Sequence, residues 1–241
     1  MTLAPGTSLN EFSDAAAMRA SALAFVSQRL SASIAKRGRA LLLASGGSTP
    51  LPLYESLSGV DLDWSRVTVA LVDERWVESG HDASNARAIR AALFQGNAMK
   101  AAFVGMKSDA ASPQEAAPAL EKTLKGLPWP ADVAILGMGA DGHTASWFPN
   151  AHGLSGAIDP ETEALCAAVS AHQSAVTGAH TERMTLTAPP ILSAGALLLL
   201  ISGEEKRRAY KRALASGPVE DMPVRTLFLG DLSKLFCCWA Q

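Results

Sequence analysis

The chain has 241 residues, 48% of them hydrophobic, with 21 basic against 23 acidic side chains and a formal net charge of −2. That length and apolar content suffice for a sizeable core, and the near-balanced charge argues against nucleic acid or a membrane surface as a partner. Three cysteines, Cys166 and the adjacent Cys237 and Cys238, have neither metal-site nor ordinary disulfide spacing, the opening M-T-L-A-P-G lacks a leader pattern, and the longest aliphatic run (residues 196–201) is far too short to cross a bilayer; a cytoplasmic protein is expected.

Residues 13–37 predict a long helix, with Met18, Ala22, Phe25, Val26, Leu30 and Ile34 on one face and Gly38 as its stop. Residues 39–44 read as a buried strand that runs into S-G-G-S-T-P and then a second helix through Tyr54 to Leu57. Residues 67–72 predict another strand, ending in D-E-R-W-V, and Ser84 or Asn85 caps a helix to about Leu93. A weak strand at residues 101–104 and a helix at residues 113–124 lead to the apolar run that opens V-A-I-L-G-M-G-A-D-G-H-T-A-S-W-F-P. Thr144 there is expected to cap a helix, and residues 150–162 to form a loop. Strands are predicted at residues 165–169, 183–187, 196–201, 226–229 and 235–239, with a surface loop at residues 171–182 and helices at residues 189–194 and 204–215. Strands alternating with helices predict a Rossmann-like α/β fold, a mostly parallel sheet with helices on both faces, as one domain over residues 1–241.

Several strand ends carry reactive groups. At residues 45–50, Gly46 and Gly47 permit close backbone approach, Ser48 or Thr49 caps the next helix and Pro50 suits its first turn; this arrangement offers free N–H groups to a phosphate, and by itself reads equally as a plain tight turn. It is neither a Walker loop nor a nucleophile elbow. Asp73, Glu74 and Arg75 end a strand, Arg183 begins one, and Lys206 lies in a first helical turn. A cation is disfavoured there unless an anion, Glu204, Glu205 or a ligand, offsets it. Gly137, Gly139 and Gly142 have dinucleotide-fingerprint spacing, but the acid that such a site needs after the next strand is missing. His143 follows the last of these glycines, where a side chain is reachable. The five histidines show neither i,i+4 pairing nor HExxH, so no metal is expected.

In chain order, S-G-G-S-T-P, D-E-R-W-V, S-N at 84–85, the long glycine-histidine motif, R-M-T at 183–185 and G-E-E-K at 203–206 resemble the glucosamine-6-phosphate isomerase/6-phosphogluconolactonase family, on its lactonase side. The resemblance implies a fold shared with glucosamine-6-phosphate deaminase and ribose-5-phosphate isomerase. It also implies hydrolysis of 6-phospho-D-glucono-1,5-lactone to 6-phosphogluconate in the oxidative pentose phosphate pathway, with no cofactor. In the deaminases the stretch after D-G-H runs I-A-F-N-E-P, and its glutamate assists ring opening. Here Trp147 and Phe148 stand at the asparagine and glutamate positions.

The expected division of labour follows from that chemistry. Gly46, Gly47, Ser48 and Thr49, with Arg183 and Lys206, grip the phosphate. His143 is the general base on water, and either Asp141 or Asp73 orients it. Arg75 steadies the carbonyl oxygen or the hydroxyls, with Asp73 and Asn85 as polar contacts. A deaminase or aldose–ketose isomerase, or a non-catalytic sugar-phosphate sensor, is the alternative reading, and a monomer acting on a small sugar-phosphate lactone is the expected form.

Overall fold

The computed structural model describes residues 8–241, so the leaderless reading of the first residues concerns a segment outside the described residues. In chain order the elements are β1 (Leu9–Glu11), α1 (Ala15–Arg37), β2 (Ala40–Ala44), α2 (Leu51–Ser58), β3 (Val67–Leu71), β4 (Asp73–Arg75), α3 (Asn85–Leu93), β5 (Ala102–Val104), α4 (Pro113–Lys125) and β6 (Val133–Gly137). They continue with α5 (Leu154–Ile158), β7 (Cys166–Ser170), β8 (Glu182–Leu186), α6 (Ala188–Leu192), β9 (Leu197–Ser202), α7 (Glu204–Ala213), α8 (Arg225–Phe228) and β10 (Leu235–Ala240).

Seven strands pair in parallel in the order β1-β10-β9-β6-β2-β3-β5. Both faces of a parallel sheet are covered by its crossover helices, so its strands read as unbroken apolar runs. Ala40 to Ala44 are accordingly buried at every position, as are Leu197 to Ile201. α1 packs against α2, β2 and β10, and α7 against β9. α1 is well framed: the Asp14 carboxylate accepts from the Ala17 N–H at 2.8 Å, and Gly38, at φ 72°, ends it by donating to the Ile34 carbonyl.

The second sheet departs from the sequence reading. β4, β8 and β7 form a separate antiparallel sheet rather than joining the parallel one. Val72 is where the chain passes between the two: its N–H donates to Ala44 O in the large sheet, and its carbonyl accepts from Leu186 N in the small one. Alternating residues of β4 then point to opposite sides.

Four local expectations also fail, each for an identifiable reason. No helix follows Thr144, because Pro149 would fall inside it without an N–H. Thr144 Oγ1 donates instead to Gly137 O at 2.8 Å, and Trp147 N returns to Thr144 O in a tight turn. Neither Ser48 nor Thr49 caps α2: Pro50 holds the cap position without a side-chain bond, and Thr49 Oγ1 lies 3.0 Å from Ser202 Oγ. Residues 226–229 are helical rather than a strand, since a short, fully buried apolar run has no period to tell the two apart. Five residues inside the expected 150–162 loop coil as α5, and the three-residue β1 was too short to leave any signal.

At the amino-terminal edge of the sheet, away from these turns, the Asp132 carboxylate joins three elements. It accepts from Arg37 Nη2 at 2.6 Å, from Leu41 N at 2.7 Å and from Ser33 Oγ. Asp132→Ala takes the carboxylate from Arg37, which keeps only neutral acceptors, and leaves the buried Leu41 N–H without its partner; it is expected to cost about 2–3 kcal/mol of unfolding free energy in urea titration. Activity per folded molecule should not change, because the cluster lies at the opposite edge from the cavity described next.

Candidate active site

β2 is followed on one side by β3 and β5 and on the other by β6, β9, β10 and β1, so the chain leaves in opposite directions at the β2–β6 pair. Such a junction opens a crevice at the carboxyl edge of the strands. A cavity of about 320 Å³ lies there, lined by residues 45–50 after β2 and residues 137–140 after β6, with contributions from β4, α3, β8 and α7. Every residue given a catalytic or binding role from the sequence lines it except Asp141, and of the D-E-R triplet Glu74 does not.

The histidine turn is closed by its own backbone. Gly139 N donates to His143 O at 2.9 Å, and Gly142 N to Gly139 O at 3.0 Å. Inside the turn the Asp141 carboxylate takes both the His143 N–H, at 3.1 Å, and the ring Nδ1, at 2.6 Å. Gly139 is required because a Cβ there would overlap the imidazole and the Asp141 carboxylate. From outside, Arg212 Nη2 donates to Ala140 O and Val224 N to Gly142 O. Burial works against the Asp141 anion, but the hydrogen bond and charge of His143 outweigh it and hold the carboxyl below the ordinary range. With Nδ1–H given to Asp141, Nε2 is the nitrogen left to accept a proton. Asp141, not Asp73, is therefore the histidine's partner.

Asp73, Glu74 and Arg75 divide by the two-residue alternation of β4. Asp73 and Arg75 face the cavity, and Glu74 turns to the start of α3. There its buried carboxylate accepts from the N–H groups of Asn85 (2.7 Å), Ala86 (2.8 Å) and Arg75 (2.9 Å) and from Ser84 Oγ (3.0 Å). Burial pushes the Glu74 carboxyl up, against the pull of those four donors. The clamp sets Asn85 against the 45–50 turn so tightly that a Cβ at Gly46 would overlap its amide.

Arg75 and Arg183 are cross-strand partners, which places two guanidiniums side by side in the cavity wall. Arg75 Nη1 is held by Ala83 O at 2.7 Å and Arg183 Nη2 by Thr177 O at 3.0 Å. The Nε of each, and the hydroxyl of Ser45, are buried without a hydrogen-bond partner among the described residues. Burial pushes Arg183 down to about 10, with Asp73 and Glu74 opposing and Arg75 adding to the fall; it remains a cation at neutral pH. Burial also lowers Lys206, against Glu205 and Asp141. A cavity that keeps three cations and leaves two of their N–H groups unpaired is built for an anion.

Residues that the sequence reading gave no catalytic or binding role complete the wall. Ser45, Ala145 and Val176 line it, and Phe148 packs against His143 with centroids 4.3 Å apart and ring planes tilted by 33°, while lying 5.3 Å beneath the Arg183 guanidinium. Trp147 plays no part in the wall. Its indole N–H is buried on Leu186 O at 2.9 Å, so the weight given to both aromatics together belongs to Phe148. No group of three histidine, cysteine, aspartate or glutamate side chains is placed to hold a metal ion among the described residues, and no helix there is long and apolar enough to cross a membrane.

A Rossmann-like sheet with an imidazole–carboxylate pair beside an anion grip defines a class of sugar-phosphate enzyme. Residues 13–235 match the family described as glucosamine-6-phosphate isomerases/6-phosphogluconolactonase, and the chain belongs to that family. It is 41% identical over 237 residues to a 6-phosphogluconolactonase of Pseudomonas aeruginosa, covering 97% of this chain and 96% of that one. It is 40% identical over 231 residues to one of Mesorhizobium japonicum, covering 96% and 94%. Among solved structures, a 6-phosphogluconolactonase from Shewanella baltica superposes with a TM-score of 0.93 at 36% identity over the whole of both chains.

The depressed Asp141 value has a signed consequence. An acid whose folded value lies below its unfolded one adds stability that is complete above the unfolded value, near pH 4, and is lost as the pH falls through the folded one. Asp141→Asn is expected to lower the Tm at pH 7, and the deficit should close on acidification below about pH 4. Melting curves from pH 7 to pH 2 check this; a deficit constant with pH would contradict it.

Proposed function

We propose that this chain is a 6-phosphogluconolactonase that hydrolyses 6-phospho-D-glucono-1,5-lactone by general-base catalysis. The observation that carries the reading is the His143–Asp141 pair, which opens on the same 320 Å³ cavity as Arg183, Lys206 and the 45–50 turn.

A lactone needs its phosphate held, a water activated at C1 and the resulting oxyanion stabilised. Gly46, Gly47, Ser48 and Thr49 present backbone N–H and hydroxyl donors to the phosphate, Arg183 a planar fork and Lys206 a point charge. His143 Nε2 takes a proton from water as its oxygen bonds to C1, and Asp141 steadies the imidazolium. The carbonyl electrons move to the exocyclic oxygen, which Arg75 stabilises. Their return expels the ring oxygen, and His143 delivers its proton there, leaving the open-chain acid. Asp73 and Asn85 take polar contacts with the sugar hydroxyls. Within this reading the substrate is a small sugar-phosphate lactone, with neither nucleic acid nor membrane as partner, and the chain works as a monomer in the cytoplasm without a cofactor.

The deaminase alternative loses ground at Phe148. Where that chemistry uses a glutamate beside the histidine, a phenyl ring packs on His143 and carries no proton.

His143→Ala is expected to lower kcat about 100-fold or more with little change in KM, as loss of a general base does. Arg183→Ala should instead act mainly on KM. Both are read from initial lactonase rates after subtraction of spontaneous hydrolysis. Ammonia release from glucosamine 6-phosphate at a comparable turnover would favour the alternative.

A further inference from the structure

Asp73 is a carboxylate beside two guanidiniums that pairs with neither. It lines the cavity with 6% of its surface exposed, next to Arg75 and Arg183, yet among the described residues it makes no ion pair. What holds it is neutral. Ser146 Oγ donates to Oδ2 at 2.6 Å, and Asn85 Nδ2 lies 3.3 Å from Oδ1 and 3.0 Å from the Asp73 carbonyl.

Ser146 is fully buried, and the turn that delivers it is strained. The residue before it, Ala145, sits at φ 51°, a left-handed conformation that a side chain with a Cβ adopts at a cost. Three anchors keep it there: Thr144 Oγ1 on Gly137 O, Trp147 N on Thr144 O, and the Trp147 indole on Leu186 O. Any residue at 146 would close this turn. The Ser146 hydroxyl is what reaches Asp73, and strain held beside a ligand cavity points to a job for what it aims.

We propose that Ser146 is a positioning residue that keeps the Asp73 carboxylate off Arg75 and Arg183 and turned to the cavity, where it accepts hydrogen bonds from substrate hydroxyls. An ionised carboxylate offers about four lone-pair sites. Ser146 and Asn85 use two, leaving the rest for ligand. Without the Ser146 hydroxyl the carboxylate swings onto a guanidinium, and two contacts are lost together: its own to the sugar, and the guanidinium N–H groups that it covers. The inference rests on the lactonase reading and deepens it.

The experiment is a double-mutant cycle read by steady-state lactonase kinetics and by the Kd of inorganic phosphate. Ser146→Ala is expected to raise KM about tenfold with kcat within about threefold of the parent, as loss of a hydrogen bond to a charged group should. Phosphate should also bind it more weakly than it binds the parent, because the released carboxylate covers guanidinium N–H groups that face the anion. In an Asp73→Ala background the same substitution should add nothing, since the group that it positions is gone. A merely structural Ser146 would lower the Tm and leave KM alone, or cost the same in both backgrounds; either result overturns the proposal. Should Ser146→Ala not fold, Ser146→Cys, with its weak donor, is judged by the same criteria. A parent enzyme without lactonase activity removes the functional reading as well, whereas an active parent and a variant with parental KM remove this proposal alone.

Discussion

A parallel sheet opens a crevice where its chain leaves in opposite directions, and here that place is the β2–β6 pair. The rest of the molecule serves this junction. The two turns that leave it supply the anion-facing backbone and the histidine. The turn after β6 is short enough to fold Asp141 back under the imidazole at 2.6 Å. Glycine stands at the two points where backbone must pass close to a functional side chain: Gly46 against Asn85, and Gly139 against His143. Either close approach would be blocked by a single methyl group.

The small antiparallel sheet brings in the charges. Val72 bonds to both sheets, so β4 continues straight out of the parallel sheet and over the crevice. Its alternation sends Asp73 and Arg75 inward and Glu74 back to the start of α3. The register with β8 then sets Arg183 against Arg75. Two adjacent cations, one of them pushed down to about 10 by burial, are costly in an empty cavity and favourable once an anion arrives.

Much of this was legible in the sequence because it is local. The strand that ends in glycines, the S-G-G-S-T-P turn and the order of the motifs placed the cavity wall correctly, and the candidate residues do come together. What the sequence left out depends on contacts between distant segments or on backbone geometry. Nothing in R-M-T-L-T says that β8 pairs antiparallel with β4 rather than joining the parallel sheet. The left-handed Ala145, and with it the role of Ser146, has no signature, because alanine is not a residue that announces a positive φ. Trp147 and Phe148 looked alike in sequence. Side-chain packing separates them, one into the core and one beneath the histidine.

The central claim is that this crevice hydrolyses a phosphorylated lactone through its anion grip. The most direct measurement is kcat/KM of the purified protein on 6-phospho-D-glucono-1,5-lactone and on the unphosphorylated lactone, each corrected for spontaneous hydrolysis. The account predicts clear catalysis of the first and a loss of about 100-fold or more on the second, since contacts to the phosphate are charge-assisted and several act together. Equal values on the two substrates, or a rate on the phosphorylated lactone no faster than the spontaneous one, would contradict it.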